Sequence, residues 1–195
     1  MKKYKNYIIA ILSLVILIVT VCFIPIKVSK FIPLVEKQTE KDFGVDAHLE
    51  HLVMRLGPQL KLKTPIMHLM YEDGQKFAQM ETVKFYIPWS SVIRKNPRVT
   101  SVQAKNVIIR VNSDDENLLK IVDNFTQKDF SKIPSLNAKG YKISYLNRQN
   151  NDEYTLTGIE LKFNKIINHK NFKISTKGFL EINGAKYINY DINNL

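Results

Sequence analysis

Between Leu52 and Ile87 the chain reads LVMRLGPQLKLKTPIMHLMYEDGQKFAQMETVKFYI, and its apolar residues recur at every second position in short bursts. Leu60 and Leu62 sit between Gln59, Lys61 and Lys63, while Val83, Phe85 and Ile87 sit between Thr82, Lys84 and Tyr86. Side chains on a strand point to opposite faces with a period of two, so the pattern describes strands with one dry and one wet face. Each burst ends at turn chemistry, Gly57-Pro58 or Glu72-Asp73-Gly74-Gln75. Glycine supplies positive φ there, proline presets φ and lacks a donor, and aspartate bonds its own turn. The expectation is an antiparallel meander.

Upstream, Tyr7–Ile26 reads YIIAILSLVILIVTVCFIPI and carries no charge. About 20 residues at about 1.5 Å each cross the hydrocarbon core of a bilayer. Val19-Thr20-Val21 offers no small-residue cleavage site, and Val21 is too large to precede a lipoprotein cysteine at Cys22. The segment is therefore read as a retained, single-pass signal anchor. Lysines flank it on both sides, at 2, 3 and 5 and at 27, 30, 37 and 41, so charge bias alone does not orient it. A short stub before a folded domain favours export of the domain. Residues 1–30 are assigned to a cytoplasmic stub and anchor, and 31–195 to an exported β-rich domain.

The rest continues the strand theme. Pro33 suits the start of a juxtamembrane helix within FIPLVEKQTEKDF. Val45, Ala47 and Leu49 alternate as a first strand, then the apolar set changes parity to Leu52, Met54 and Leu56, which implies a bulge near Glu50-His51. Pro88-Trp89 opens a brief helix to Arg94, and Val99–Val111 resumes as a strand. Acidic Asp114, Asp115 and Glu116 mark a second helix start, with Leu118, Leu119, Val122 and Phe125 on one face. Strand alternation returns at Tyr141–Tyr145, Ile159–Phe163, Phe172–Ile174, Leu180–Ile182 and Ile188–Ile192, punctuated by Gly178 and Gly184. The last alternating run stands for an edge strand or for a longer reading frame of the same kind.

Several chemistries are missing from this pattern. Cys22 is the sole cysteine, which excludes an intrachain disulfide and a cysteine zinc site. His48 and His51 are three apart on strand-like sequence and face opposite sides, so with His68 they make no metal set. No nucleophile elbow, P-loop or dinucleotide fingerprint occurs, and no cofactor, metal or enzymatic activity is expected. The net charge of +11 comes from lysines and arginines interleaved singly with apolar residues, without a cluster or a nucleic-acid motif. Nucleic acid is therefore not expected as a partner.

The order of these segments resembles the N-terminal region of AsmA/TamB-type envelope proteins. The resemblance rests on the single span, Gly44-Val45 opening V-x-A-x-L, Leu56-Gly57-Pro58 before Leu60 and Leu62, and Phe77–Pro88 leading to Val92-Ile93-Arg94-Lys95 and Ile109-Arg110-Val111. It covers roughly residues 1–112. It implies an inner-membrane protein whose periplasmic, twisted antiparallel sheet folds into a taco-like groove with one or two short helices. That groove would bind phospholipid acyl chains and serve lipid transport or outer-membrane biogenesis. The residues that alternation places mid-strand with polar neighbours, Leu60, Leu62, Val83, Phe85, Ile109, Ile143, Leu161, Phe163 and Ile174, are expected to line it. Roughly ten strands spaced about 4.8 Å apart give a groove of about 50 Å, short of the distance between two membranes. The chain would then act as an entry piece, with envelope partners, or assemble end to end through open edges. The competing expectation is an anchored, non-enzymatic β-sandwich that scaffolds envelope assembly.

Overall fold

The computed structural model describes residues 7, 11–17, 20, 24–43, 45–71, 73–117, 134–165 and 172–193. The chain runs β1 (Ile26–Lys27), a 3-10 turn (Ser29–Phe31), α1 (Ile32–Phe43), β2 (Asp46–Leu49), β3 (Val53–Arg55), β4 (Leu60–Met70), β5 (Lys76–Ile87) and α2 (Trp89–Ile93). It continues with β6 (Ser101–Asn112), β7 (Ser135–Asn147), β8 (Asp152–Lys165), β9 (Phe172–Ile182) and β10 (Ala185–Asn193). All ten strands belong to one open, twisted sheet ordered β1-β3-β4-β5-β6-β7-β8-β9-β10, with β2 beside β3 along β4. The described strands thus form a single sheet rather than the two facing layers of a sandwich.

Among the described residues no helix is long and apolar enough to cross a membrane. Residues 8–10, 18–19 and 21–23 of the expected Tyr7–Ile26 span lie outside the described residues, whereas 7, 11–17 and 20 are helical. Ile26 is not helical. It pairs with Met54 in β1, following Pro25, whose missing N–H cannot continue a helix. Val28 is already buried, and its N–H donates to the Leu52 carbonyl at 2.9 Å. The sheet therefore begins upstream of residue 31.

The parity change at Glu50-His51 has a clear structural basis. β2 pairs with the far half of β4, Ala47 opposite Leu69, and β3 with its near half, Met54 opposite Leu62. The two strands form one broken edge, and the break lets Leu49 and Leu52 both be buried. The antiparallel expectation fails at one junction, because β6 and β7 pair in parallel. Residues 113–134 connect them, long enough for the crossover that a parallel pair requires. A helical turn begins at Glu116, and the expected apolar face of Leu118, Leu119, Val122 and Phe125 lies outside the described residues.

A line of irregularities crosses the centre of the sheet. Pro65 in β4 lacks a ladder donor and is skipped between the pairs Thr64–Val83 and Ile66–Glu81. Thr82 in β5 has φ 48°, Asn106 in β6 φ 47° and Gly140 in β7 φ 70°. Asn106 and Gly140 fall between the pairs Lys105–Lys139 and Val107–Tyr141. In β8, Ile159 is skipped between the pairs of Tyr141–Gly158 and Lys139–Glu160. Each extra residue inverts the side-chain alternation, which is why both Ala104 and Val107, or both Ala138 and Tyr141, are buried. It also removes Ile159 from the face it was expected to share with Leu161, leaving it 74% exposed. Since neighbouring strands shift together, the faces stay coherent across the crease.

Candidate functional site

With the register fixed, most apolar side chains of the strands fall on one face, while Ile66, Ile108 and Phe179 stand among the polar residues of the other. Across the middle of the sheet it carries Leu62 on β4, Phe85 on β5, Val102 on β6, Leu136 on β7 and Phe163 on β8 in one cross-strand row. The nine residues expected to line a groove, Leu60, Leu62, Val83, Phe85, Ile109, Ile143, Leu161, Phe163 and Ile174, all stand on this face. The pairs Leu60–Ile87, Leu62–Phe85, Thr64–Val83, Ile109–Ile143, Ala138–Leu161 and Phe163–Ile174 place them there.

Their environments differ. Leu62, Val83 and Phe85 belong to a packed core with Leu49, Leu52 and Ala104, and Val83 has no exposed surface. Val35 of α1 packs against this core, and Trp89 of α2 donates from Nε1 to the Gly57 carbonyl at 2.7 Å. Leu60, Ile109, Ile143 and Leu161 lie at the margin of the core and are half-buried, as are Phe163 and Ile174. Farther along the same face Tyr145 is 37% exposed and Ile188 is 55% exposed. The face thus passes from closed packing at β4–β7, where Ala138 and Tyr141 are buried, to partly open apolar surface toward β10.

Hydroxyl groups interrupt the apolar surface at Thr64, which donates to the Ile66 carbonyl at 2.8 Å, and in a cluster farther across the sheet. The Tyr141 hydroxyl bonds those of Thr176 and Tyr190, and Tyr190 also donates to the Thr157 carbonyl at 3.2 Å. Gly158 makes room for this cluster, since a Cβ there would lie 2.1 Å from Cζ of Tyr141. Gly178 is not a break between strands as its position suggested. It lies inside β9, where a Cβ would lie 1.9 Å from the Thr157 carbonyl oxygen. Burial, and then the Tyr141 hydrogen bond, raise the Tyr190 phenol above its ordinary pKa.

The opposite face is polar, and here the lysines that looked scattered in sequence come together. One cross-strand row reads Lys63, Lys84, Gln103, Asn137 and Lys162; the next reads Glu81, Lys105, Lys139 and Glu160. Beside the crease they bound a cleft of about 420 Å³, lined by Thr82, Lys84, Gln103, Lys105, Asn137, Lys139, Glu160 and Lys162 along with Ala104. Lys162 pairs with Glu160 at 2.6 Å, and that bond holds the Glu160 carboxyl below the usual range. Burial, with the charges of Lys61, Lys105, Lys63 and Arg55 behind it, lowers the pKa of Lys84. Single-residue spacing hides such a cluster, because it exists only after five strands are in register.

His48 and His68 face each other across β2 and β4. Among the described residues no three His, Cys, Asp or Glu side chains are grouped to hold a metal ion. No family model, curated protein or solved structure matches this chain.

Proposed function

We propose that this is a membrane-anchored lipid-handling protein of the AsmA-like type. Its N-terminal apolar segment holds it in the inner membrane, and its β-domain stands in the periplasm. Acyl chains partition onto the apolar face of the sheet and no covalent chemistry takes place. In this way the protein contributes to lipid transport or outer-membrane biogenesis.

The observation that carries this reading is the single apolar face that continues across the whole sheet while its exposure rises toward β10. A sheet with one dry face must curl, take a partner or hold a ligand. Each acyl CH₂ withdrawn from water contributes about 0.8 kcal/mol, so a lining of this kind needs no polar recognition to hold a lipid tail. Ile143, Leu161, Phe163 and Ile174 form the part of the lining nearest the open side, and Leu62, Val83 and Phe85 form its packed base.

Leu161 separates groove from closed core. Full-length protein extracted from membranes should carry phospholipid, read by mass spectrometry, and Leu161→Asp should lose that lipid while remaining folded. A closed core would instead bury an unpaired carboxylate, at a cost of several kcal/mol, and the variant would unfold. A lipid-free parent together with an unfolded Leu161→Asp would overturn lipid handling and leave a scaffold role.

A further inference from the structure

The polar face contains a cleft rich in lysine, on the side of the sheet away from the proposed lipid lining. Two lysine pairs stand directly opposite each other on adjacent strands there, Lys63 with Lys84 and Lys105 with Lys139. Like charges placed opposite each other are destabilising. Four ammonium groups (Lys84, Lys105, Lys139 and Lys162) and one carboxylate (Glu160) line the cleft, leaving a net charge of about +3 in roughly 420 Å³. Between Lys84 and Lys162 the same cross-strand row supplies two carboxamides, Gln103 and Asn137. The Gln103 oxygen accepts from the Tyr86 hydroxyl at 2.9 Å. The Asn137 carboxamide oxygen is buried without a hydrogen-bond partner, and buried acceptors ordinarily have one.

We propose that this cleft binds a multiply charged phosphate group, with Lys84, Lys105 and Lys139 neutralising it and Gln103 and Asn137 positioning it. Phosphate oxygens would occupy the space that the three ammonium groups share and relieve their mutual repulsion. A protonated phosphate oxygen or an adjacent hydroxyl of the ligand would donate to the Asn137 oxygen. The crease contributes by geometry, since the left-handed backbone of Thr82 bends β5 beside Lys84. Burial, with the neighbouring cations behind it, lowers the pKa of Lys84, and Lys84→Gln removes the charge while keeping a polar side chain, its fold checked by circular dichroism.

The phosphate could belong to a soluble molecule or to an anionic lipid headgroup, and the assay has an arm for each. Full-length protein in neutral detergent is titrated with inorganic pyrophosphate by calorimetry. The same protein in nanodiscs is mixed with phosphatidylcholine vesicles containing or lacking phosphatidic acid. Saturable binding in either arm, weakened about tenfold or more in Lys84→Gln and Lys139→Gln, supports the site. Pyrophosphate binding assigns a soluble ligand, and vesicle binding alone assigns a headgroup. Lys142→Gln is the control, an exposed lysine on β7 outside the cleft. No saturable response in either arm, or an equal loss in Lys142→Gln, overturns the proposal. Loss of co-purified acyl lipid in Leu161→Asp reads the opposite face and stands or falls separately.

Discussion

Replacing Gly158 with alanine should lower stability out of proportion to the single methyl added. Gly158 lies mid-strand in β8, opposite Tyr141 on one side and Gly178 on the other. The new Cβ would stand 2.1 Å from Cζ, 2.2 Å from the phenol oxygen and 2.3 Å from Cε1 of Tyr141. The ring is 3% exposed and tied by its hydroxyl to Thr176 and Tyr190, so it cannot step aside freely. Overpacking of this kind costs about 1–3 kcal/mol, and each displaced hydroxyl bond adds about 1 kcal/mol. A total of about 2–5 kcal/mol corresponds to a fall in Tm of about 5–15 °C for a chain of this size. Thermal circular dichroism of the full chain in detergent reads it. Truncating the ring relieves the clash, so Gly158→Ala with Tyr141→Ala should be less damaged than the two single effects combined, by about 1 kcal/mol or more. A Gly158→Ala protein melting within about 1 °C of the parent, with no coupling to Tyr141, would refute the packing described.

Two further outcomes follow from burial. Tyr71, Tyr86 and Tyr190 are held protonated above their ordinary pKa, chiefly by burial, so above about pH 10 the unfolded chain loses protons that the folded one keeps. Urea midpoints should therefore fall as pH rises past about 10, less steeply in Tyr190→Phe; a flat or rising midpoint would contradict this burial. A chain starting at residue 31 lacks β1 and the Val28 contact, and should be less stable than one starting at residue 24 by about 2–4 kcal/mol, measured by urea denaturation. Equal midpoints would show that β1 contributes nothing.

The apolar face was legible because alternation survives in sequence, as at Leu60-Lys61-Leu62 and Ile143-Ser144-Tyr145. Four things were not. Pro65 sits in the middle of β4, where a proline normally argues against a strand, and it is tolerated because the ladder skips it opposite the Thr82 bulge. The direction of β7 depends on how residues 113–134 return the chain, and strand sequence carries no mark of polarity. The lysine cleft was hidden for a related reason: Lys84, Lys105, Lys139 and Lys162 come from four strands, and only pairing makes them neighbours. Ile159 was misassigned because one skipped residue reverses parity, although the neighbouring Gly158 marks a place where a strand commonly bulges.

The parallel junction between β6 and β7 also decides what stands at the two ends of the strands. Because β7 runs the same way as β6, its turn into β8 emerges at the end that holds the β4–β5 turn and the exit from β6. That rim is acidic and tied together across loops, Asn117 to Asp73 at 3.2 Å, Arg148 to Asp114 at 3.1 Å and Asn183 to Asp152 at 2.8 Å. The other rim holds α2, the 77% exposed Ile93, and Arg94, Lys95 and Arg98. The strand β1 starts at this second rim, so the N-terminal segment arrives there. Were β6 and β7 antiparallel, the turns bearing Asp152 and Asn183 would project beside those arginines and cancel them. The single reversal gives the domain a charge axis along its strands. The start of β1 therefore lies toward the cationic pole, with the aspartates at the far end.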